Sequence, residues 1–477
     1  MRTLALPASA LLLGFAAASC GAPRPRLVPP PPISPSIAIV GATLWDGTGR
    51  APVTNAVTVV RGERILCAGA AGECAIPQGA RVIDGRGRYL IPGLIDSHVH
   101  LLFLQNGSAG EELGLDLRNL LAQGVTTVRD MGNSPVALLS RVAGLPAAPR
   151  VYAMQLVAGR RFFFTGIRAT RTDRGVIYRQ APAMTMQWLG WTPLQFDRED
   201  DPEAIVAAAR NAGAMGLKLY AQLDSGSIRR LVTAAHRAGM PVWGHTWVQP
   251  ASVGEETTAG MDGVVHAAGL AGELFTPEER DTLVNDGDLQ AATAQVANAA
   301  SARDPRVLAT LDSMAAHGTM FEPTLDATRH SVATYDARVR HVPSLQEGYV
   351  RAAASFGMEV AREAVRRGVR ISAGSDHVAY GPVGERASLF GELRLLVDSI
   401  GLSPTAALLA ATRDAARAIG GEPGRWVGTI EAGHYADLVL LSKNPFDDVE
   451  NLDAVEWVMR GGKIWRPEQL RSGIAMR

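Results

Sequence analysis

The sequence predicts an α/β protein: a (β/α)8 TIM-like barrel carrying a small β-sandwich built from both chain ends. Three observations lead there. Eight short apolar runs recur through the middle of the chain, at 94–98, 125–130, 151–157, 216–220, 241–245, 263–266, 319–323 and 369–376, with helix-like stretches between several of them. Short β-like runs without such helices occupy both flanks. The length, 477 residues, exceeds what one compact core holds and accommodates a large domain with a smaller companion.

Taken in order, residues 1–20 stand apart. Arg2 supplies a short positive start, and an apolar run over 4–18 is broken only by Pro7, Ser9 and Gly14 before the small residues Ala16, Ala17, Ala18 and Ser19. This reads as a secretory signal, too short to span a bilayer comfortably. Cys20 follows at once, with Gly21 after it, which resembles a bacterial lipoprotein signal with Cys20 as the lipidated N-terminus. Ala17 stands where that pattern prefers Leu, and ordinary cleavage nearby is the alternative. The expectation is an exported protein, periplasmic or outer-membrane-anchored if lipidated at Cys20, whose one membrane contact is that anchor. Residues 21–35, with Pro29-Pro30-Pro31-Pro32, read as a stiff extended tether.

Residues 36–90 form the first part of the β-sandwich, with runs at 37–42, 57–61, 64–68 and 81–84 separated by Gly, Asp and Asn. Cys67 and Cys74 lie across a Gly-rich turn; they either pair in an oxidising compartment or stay reduced and buried. Residues 91–425 form the barrel, in which 204–212 and 227–238 carry apolar residues at helical spacing. An open doubly wound sheet is the runner-up, disfavoured because no G-x-G-x-x-G follows the first strand. The insert at 159–201, with Phe162, Phe163, Phe164, Trp188 and Trp191, reads as a lid at the barrel mouth or a partner-facing patch. Residues 426–470 return to short runs, at 428–430, 437–441, 455–460 and 463–465, and complete the sandwich.

Composition narrows function. Apolar residues make up 47% and charged residues 20%, and Lys+Arg balance Asp+Glu at 47 each. No net field favours nucleic acid or an anionic membrane. The expected partner is a small-molecule or dipeptide-like substrate.

The chemistry begins at Ile91-Pro92-Gly93-Leu94-Ile95-Asp96-Ser97-His98-Val99-His100. Residues two apart on a strand point the same way, so His98 and His100 can present two imidazoles to one ion. In Gly216-Leu217-Lys218-Leu219-Tyr220 a lysine sits inside an apolar strand. Burial favours its neutral amine, which can take up CO2 as a carbamate; the alternative is an ammonium reaching water at the rim. His245, His266 and Asp376 each close a predicted strand. Each alone could be a satisfied core residue, yet all fall at C-terminal strand ends, where barrel enzymes keep their active sites.

With these residues in view, the chain resembles the amidohydrolase superfamily, most of all its imidazolonepropionase-like and Xaa-Pro-dipeptidase-like members. The lead-in Tyr89-Leu90-Ile91-Pro92-Gly93-Leu94-Ile95-Asp96 and the tail Gly428-Thr429-Ile430-Glu431-Ala432-Gly433-His434-Tyr435-Ala436-Asp437-Leu438-Val439 carry the likeness, which covers nearly the whole mature chain. The resemblance implies two divalent metal ions, with zinc favoured by the histidine-rich set. His98, His100 and Asp376 would hold one, and His245 and His266 the other. Carboxylated Lys218 and a hydroxide would bridge them. Asp376 would also shuttle the proton, and Tyr220 would hydrogen-bond the developing oxyanion. The implied reaction is hydrolysis of a C–N bond in an amide, peptide or cyclic amide, as by a dipeptidase or N-acyl-amino-acid hydrolase. A mononuclear deaminase or cyclic amidase with unmodified Lys218, and a catalytically silent binding lipoprotein, are the competing readings.

One departure is Phe390-Gly391-Glu392-Leu393, where many relatives carry His-Gly-Glu-Leu. His377 is a further expected substrate contact. Arg160 and Arg161 are candidates for a substrate carboxylate. His236, His317, His330, His341 and His434 are expected at the surface or in structural roles.

Overall fold

The β-forming residues fall in two sets, and each set makes its own sheet. The computed structural model describes residues 35–102, 109–163, 169–172, 175–178, 192–282, 296–297, 301–330, 347–378 and 388–471. The signal segment with Cys20, the tether up to residue 34, Phe164, Trp188, Trp191 and His341 lie outside them. Among the described residues, no helix is long and apolar enough to cross a membrane.

The chain enters through β1 (Ser36–Leu44), β2 (Val53–Arg61), β3 (Arg64–Ala70), β4 (Arg81–Asp84) and β5 (Tyr89–Pro92). A disulfide joins Cys67 to Cys74 across the turn after β3. β5 passes through one residue, Gly93, into the second set: β6 (Leu94–His100), β7 (Val125–Asp130), β8 (Arg150–Ala158), β9 (Ala169–Thr172), β10 (Gly175–Tyr178), β11 (Leu194–Gln195), β12 (Gly216–Ala221), β13 (Val242–His245), β14 (Gly263–Val265), β15 (Met320–Glu322) and β16 (His377–Val378).

Seven of these, β6, β7, β8, β12, β13, β14 and β15, lie side by side, each parallel to the next and in chain order. β11 adds to β8, and β9 and β10 make a separate hairpin within the 159–201 insert. Neighbours never reverse order, so the switch point of an open doubly wound sheet does not occur. Every residue of β6, β7, β12 and β13 is buried, as expected where helices cover the outside of a parallel sheet. The helices start where the chain supplies caps. Asp201 accepts the Glu203 N–H before Pro202–Asn211, and Asp224 accepts the Ser227 N–H before Ser225–Arg237.

The eighth run, expected as a strand over 369–376, is not a regular one. Only Ile371 bridges, to Phe321. The segment nevertheless bonds to both neighbours. Phe321 N–H donates to Arg370 O (2.9 Å) and Ser372 N–H to Phe321 O (3.0 Å) on one side. Ser97 N–H donates to Ala373 O (3.1 Å) and Asp376 N–H to His98 O (2.8 Å) on the other, and β16 then pairs with β6. First and last strands are thereby linked. The segment runs close to its neighbours and then leaves the extended region. A Cβ on Gly374 would lie 2.6 Å from His98 Cβ and 2.7 Å from Glu322 Cδ, and Asp376 leaves the extended region at φ 53°.

The tail returns as β17 (Leu438–Leu441), β18 (Val455–Arg460) and β19 (Lys463–Trp465). β17 pairs antiparallel with β5, Leu440 opposite Leu90, so both chain ends share one eight-stranded sheet in the order β19-β18-β17-β5-β1-β2-β3, with β4 beside β1. Ile39, Leu44, Ile65, Leu90, Leu438, Leu440, Trp457 and Met459 make its core. The expected strand at 428–430 is absent. Gly428 takes φ 81°, outside the extended region, and Ile430 is tied instead by its N–H to Asp46 O (2.9 Å).

Candidate metal centre

The side-chain alternation of β6 aims His98 and His100 the same way, and their Nε2 atoms lie 3.3 Å apart. Asp376 Oδ1 completes a triangle, 3.3 Å from His98 Nε2 and 3.2 Å from His100 Nε2. Adjacent donors on a tetrahedral zinc ion are about 3.3 Å apart, given metal–ligand distances of about 2.0 Å. Among the described residues, this trio is the one set of three or more His, Cys, Asp or Glu whose ligand atoms converge. His98 Nδ1 lies 2.9 Å from Glu322 Oε1, and Nε2 is the ring nitrogen turned to Asp376; a ring nitrogen and a carboxylate oxygen at that distance share a proton or a cation.

The other expected ligands gather beside this triangle. His266 lies 5.2 Å from His98 and 4.3 Å from His245, ring centre to ring centre, and its Nδ1 is 3.9 Å from Asp376 Oδ2. His266 follows β14 at φ 74°; its N–H donates to Glu322 O (2.9 Å), and its Nδ1 lies 2.8 Å from Thr324 Oγ1. Lys218 on β12 pairs in register with Trp243 on β13, one layer deeper than His245. Its Nζ is buried and has no hydrogen-bond partner among the described residues. Tyr220, a layer above Lys218, packs edge-on against His245 (5.2 Å) and against Phe162 (5.5 Å), and Trp247 tilts over His245 at 4.8 Å.

Electrostatics fit a cation-binding pocket. Burial lowers the Lys218 ammonium to about 7, so the neutral amine is accessible. Burial likewise lowers His98, and carries His245 and His266 well below the ordinary imidazole value, favouring the neutral imidazole. Burial alone would raise Asp376, but His98, His100 and His266 outweigh it and hold the carboxylate below its ordinary range. The donor set, the orphaned amine and the opposed acceptors all fit divalent metal.

The amidohydrolase family matches residues 89–465, most of the chain. The chain belongs to the amidohydrolase family. This amidohydrolase is 29% identical over 120 residues to ochratoxinase of Aspergillus niger, covering 24% of each chain. It is 28% identical over 264 residues to N-acyl-D-glutamate deacylase of Alcaligenes xylosoxydans xylosoxydans, covering 54% of this chain and 46% of the relative. The matches thus span about a quarter and just under half of those relatives' lengths. Among solved structures, it resembles a Xaa-Pro dipeptidase with bound methionine in the active site (TM-score 0.63, 21% identity, 90% of this chain and 100% of that one). It also resembles A. niger ochratoxinase (TM-score 0.65, 19% identity, 91% and 96%). At such identity the structural likeness is one of fold.

Some expectations need correction. His377, expected to touch substrate, is buried, with Nε2 2.9 Å from Asp116 Oδ2 on the helix Ala109–Ala122. Arg160 and Arg161 are held in ion pairs, with Asp197 (3.0 Å) and Asp281 (2.8 Å). His236 pairs with Asp262, His317 bonds Ser313 O and His434 bonds Thr429, in keeping with structural roles. Sequence reasoning missed Glu322, Arg129 and Asp96. The signal was available: Glu322 closes the seventh run just as the proposed ligands close theirs, and Arg129 is a charge within an apolar strand like Lys218. Asp96 accepts the N–H groups of His98 (3.2 Å) and Ser375 (2.9 Å) and the Ser375 hydroxyl (2.6 Å), steadying the residues on either side of the site; burial pushes it up to about 6.

Proposed function

We propose that this amidohydrolase is an exported, metal-dependent hydrolase of C–N bonds in amides, peptides or cyclic amides. The observation that carries the reading is the opposition of His98 Nε2, His100 Nε2 and Asp376 Oδ1 beside a buried, unpartnered Lys218 amine. His98, His100 and Asp376 would hold one divalent ion, His245 and His266 a second, and Lys218 would bridge them after its neutral Nζ adds to CO2, forming an N–C bond and releasing a proton. Zinc suits the imidazole-rich set. When bound, the ions supply Lewis acidity, polarising a carbonyl and making water a better acid.

The chain's own groups do the rest. Asp376 takes a proton from the attacking water and returns it to the leaving nitrogen, as a carboxylate beside a reacting centre can. The Tyr220 hydroxyl donates to the oxygen on which charge develops. Burial of the histidines favours their neutral form, in which one ring nitrogen can donate its lone pair to a cation. The names of the relatives, a deacylase and a dipeptidase among them, support a small-molecule or dipeptide-like substrate.

The first and last segments are read as the two parts of the small β-sandwich (36–90 and 426–470) around the barrel (91–425). The Cys67–Cys74 disulfide supports export to an oxidising compartment. A mononuclear centre held by His98, His100 and Asp376, whose ligand atoms converge among the described residues, is the second reading. The test is hydrolysis across a panel of dipeptides and N-acyl-amino acids, with metal-replete and chelator-treated protein, alongside metal analysis. Chelator-sensitive hydrolysis with about two ions per chain supports the proposal. About one ion favours the mononuclear reading, and no hydrolysis by metal-replete protein overturns the catalytic one.

A further inference from the structure

Beneath the centre, the barrel interior holds a charged pair that the proposed chemistry leaves unused. Arg129 on β7 and Glu322 at the end of β15 are both buried, and Arg129 Nη2 lies 3.0 Å from Glu322 Oε2. Neither group is loosely held. Arg129 Nε donates to Ser97 O (2.7 Å) and Nη1 to Ala418 O (2.5 Å), while the guanidinium carbon sits over the Trp243 ring, 4.0 Å from its centre. Glu322 Oε2 also accepts the Ser372 hydroxyl (2.9 Å) and a very short bond from the Ser97 hydroxyl. That leaves Oε1 for one partner, His98 Nδ1, at 2.9 Å. The lack of a side chain at Gly374 makes room for this contact.

We infer that Glu322 is a positioning residue for the metal centre, fixing His98 as the Nδ1–H tautomer with Nε2 turned to the site, and that Arg129 is the counter-charge holding Glu322 in that pose. The physical case is directional. A guanidinium cannot accept, so the Glu322 carboxylate beside it is an acceptor, and the proton of the His98–Glu322 bond belongs to Nδ1. The Nε2 lone pair is then forced toward Asp376 and His100. A carboxylate on the remote nitrogen also makes the imidazole a stronger donor to a cation. A charged pair this deeply buried is weak evidence for added stability, because desolvation offsets much of its attraction. Setting a ligand's tautomer is a role that the expense of burial serves.

The inference rests on the reading of His98 as a metal ligand, and the test separates the two. Zinc affinity of chelator-stripped protein is measured by competition with a chromophoric chelator, for the wild type and for His98→Ala, Glu322→Gln, Glu322→Ala and the charge-balanced double variant Glu322→Gln/Arg129→Met. The double variant keeps an acceptor for Nδ1–H without stranding a buried guanidinium, so it covers the case in which single variants fail to fold. Nitrogen NMR of the metal-free wild type reads the His98 tautomer directly. The expected results are an Nδ1-protonated His98, zinc affinity weakened about 10–100-fold in the double variant, and a larger loss in Glu322→Ala than in Glu322→Gln. If the double variant binds zinc within about 3-fold of wild type and only its melting temperature moves, or if His98 is the Nε2–H tautomer, the positioning role is overturned while the site reading stands. If wild type and His98→Ala bind zinc alike, the site reading falls, and the inference with it.

Discussion

The two halves of the centre are built by different forces. On the β6 side, His98 and Asp376 are held by directed hydrogen bonds: His98 to Glu322, the Asp376 N–H to His98 O, and Asp96 under both His98 and Ser375. On the β12–β14 side, the His266 N–H donates to Glu322 O and its Nδ1 meets Thr324 Oγ1, and a run of aromatic contacts adds to these: Phe162 on Tyr220, Tyr220 on His245, His245 between Trp247 and His266. There a buried amine, Lys218 Nζ, is left without a partner. A hydrogen-bonded half is in place before anything binds. A half with an orphaned buried polar group is incomplete, since such a group costs about 1–3 kcal/mol until it is satisfied. The contrast teaches that the first half is organised by the fold and the second awaits its chemistry.

The largest effect expected from breaking this contrast is in the first half. Asp376→Asn keeps the shape but removes the proton carrier, and should lower kcat about 10^2–10^4-fold on any amide substrate found. A loss under 10-fold in steady-state assays would move the acid–base role elsewhere. In the second half, Lys218→Met replaces the orphaned amine by a group of similar length that needs no partner. It should reduce bound metal from about two ions per chain toward one and abolish hydrolysis, yet leave the metal-free chain at least as stable as wild type by urea unfolding. Stability that drops together with metal content would show that Lys218 is satisfied without carboxylation.

A subtler effect concerns the loop carrying Thr324, the His266 partner. Glu392 Oε2 accepts the Asp326 N–H (2.8 Å) from the helical segment that follows that loop, and burial raises the Glu392 carboxyl to about 8. A carboxyl raised on folding favours the folded state fully below its unfolded value, about 4.3, and that stability is lost as pH rises through about 8. Urea midpoints of the metal-free protein should therefore fall from pH 5 to pH 8 through this group, and Glu392→Gln should flatten the fall. An equal slope in both proteins would remove Glu392 from the account. The smallest effect is at the rim: Arg161→Ala breaks an exposed pair with Asp281 and should change stability by no more than about 0.5 kcal/mol. A KM raised 10-fold or more would restore Arg161 as a substrate contact.

The legible part of the site was the part that follows strand periodicity. His98 and His100 at two-residue spacing, Lys218 in an apolar run, and His245, His266 and Asp376 at run ends could all be read along the chain, as could seven of the eight strands. What could not be read depends on groups distant in sequence. The eighth run leaves the extended region at Asp376 (φ 53°), and the run at 428–430, strand-like in composition, turns at Gly428 (φ 81°). His377 follows Asp376 in sequence, but the chain turns at Asp376 (φ 53°), and the His377 ring meets Asp116 instead.

The sequence by itself determined the order of elements, the α/β class and the kinds of donor available, because apolar spacing and side-chain chemistry are local properties. Only the tertiary structure decided which donors oppose one another, which nitrogen of His98 faces the site, and that Glu322 and Arg129 lie beneath it. Those facts are set by hydrogen bonds between β6, β7, β15 and the 370–376 segment, and a bond between strands 193 or 224 residues apart leaves no mark in the spacing of either one.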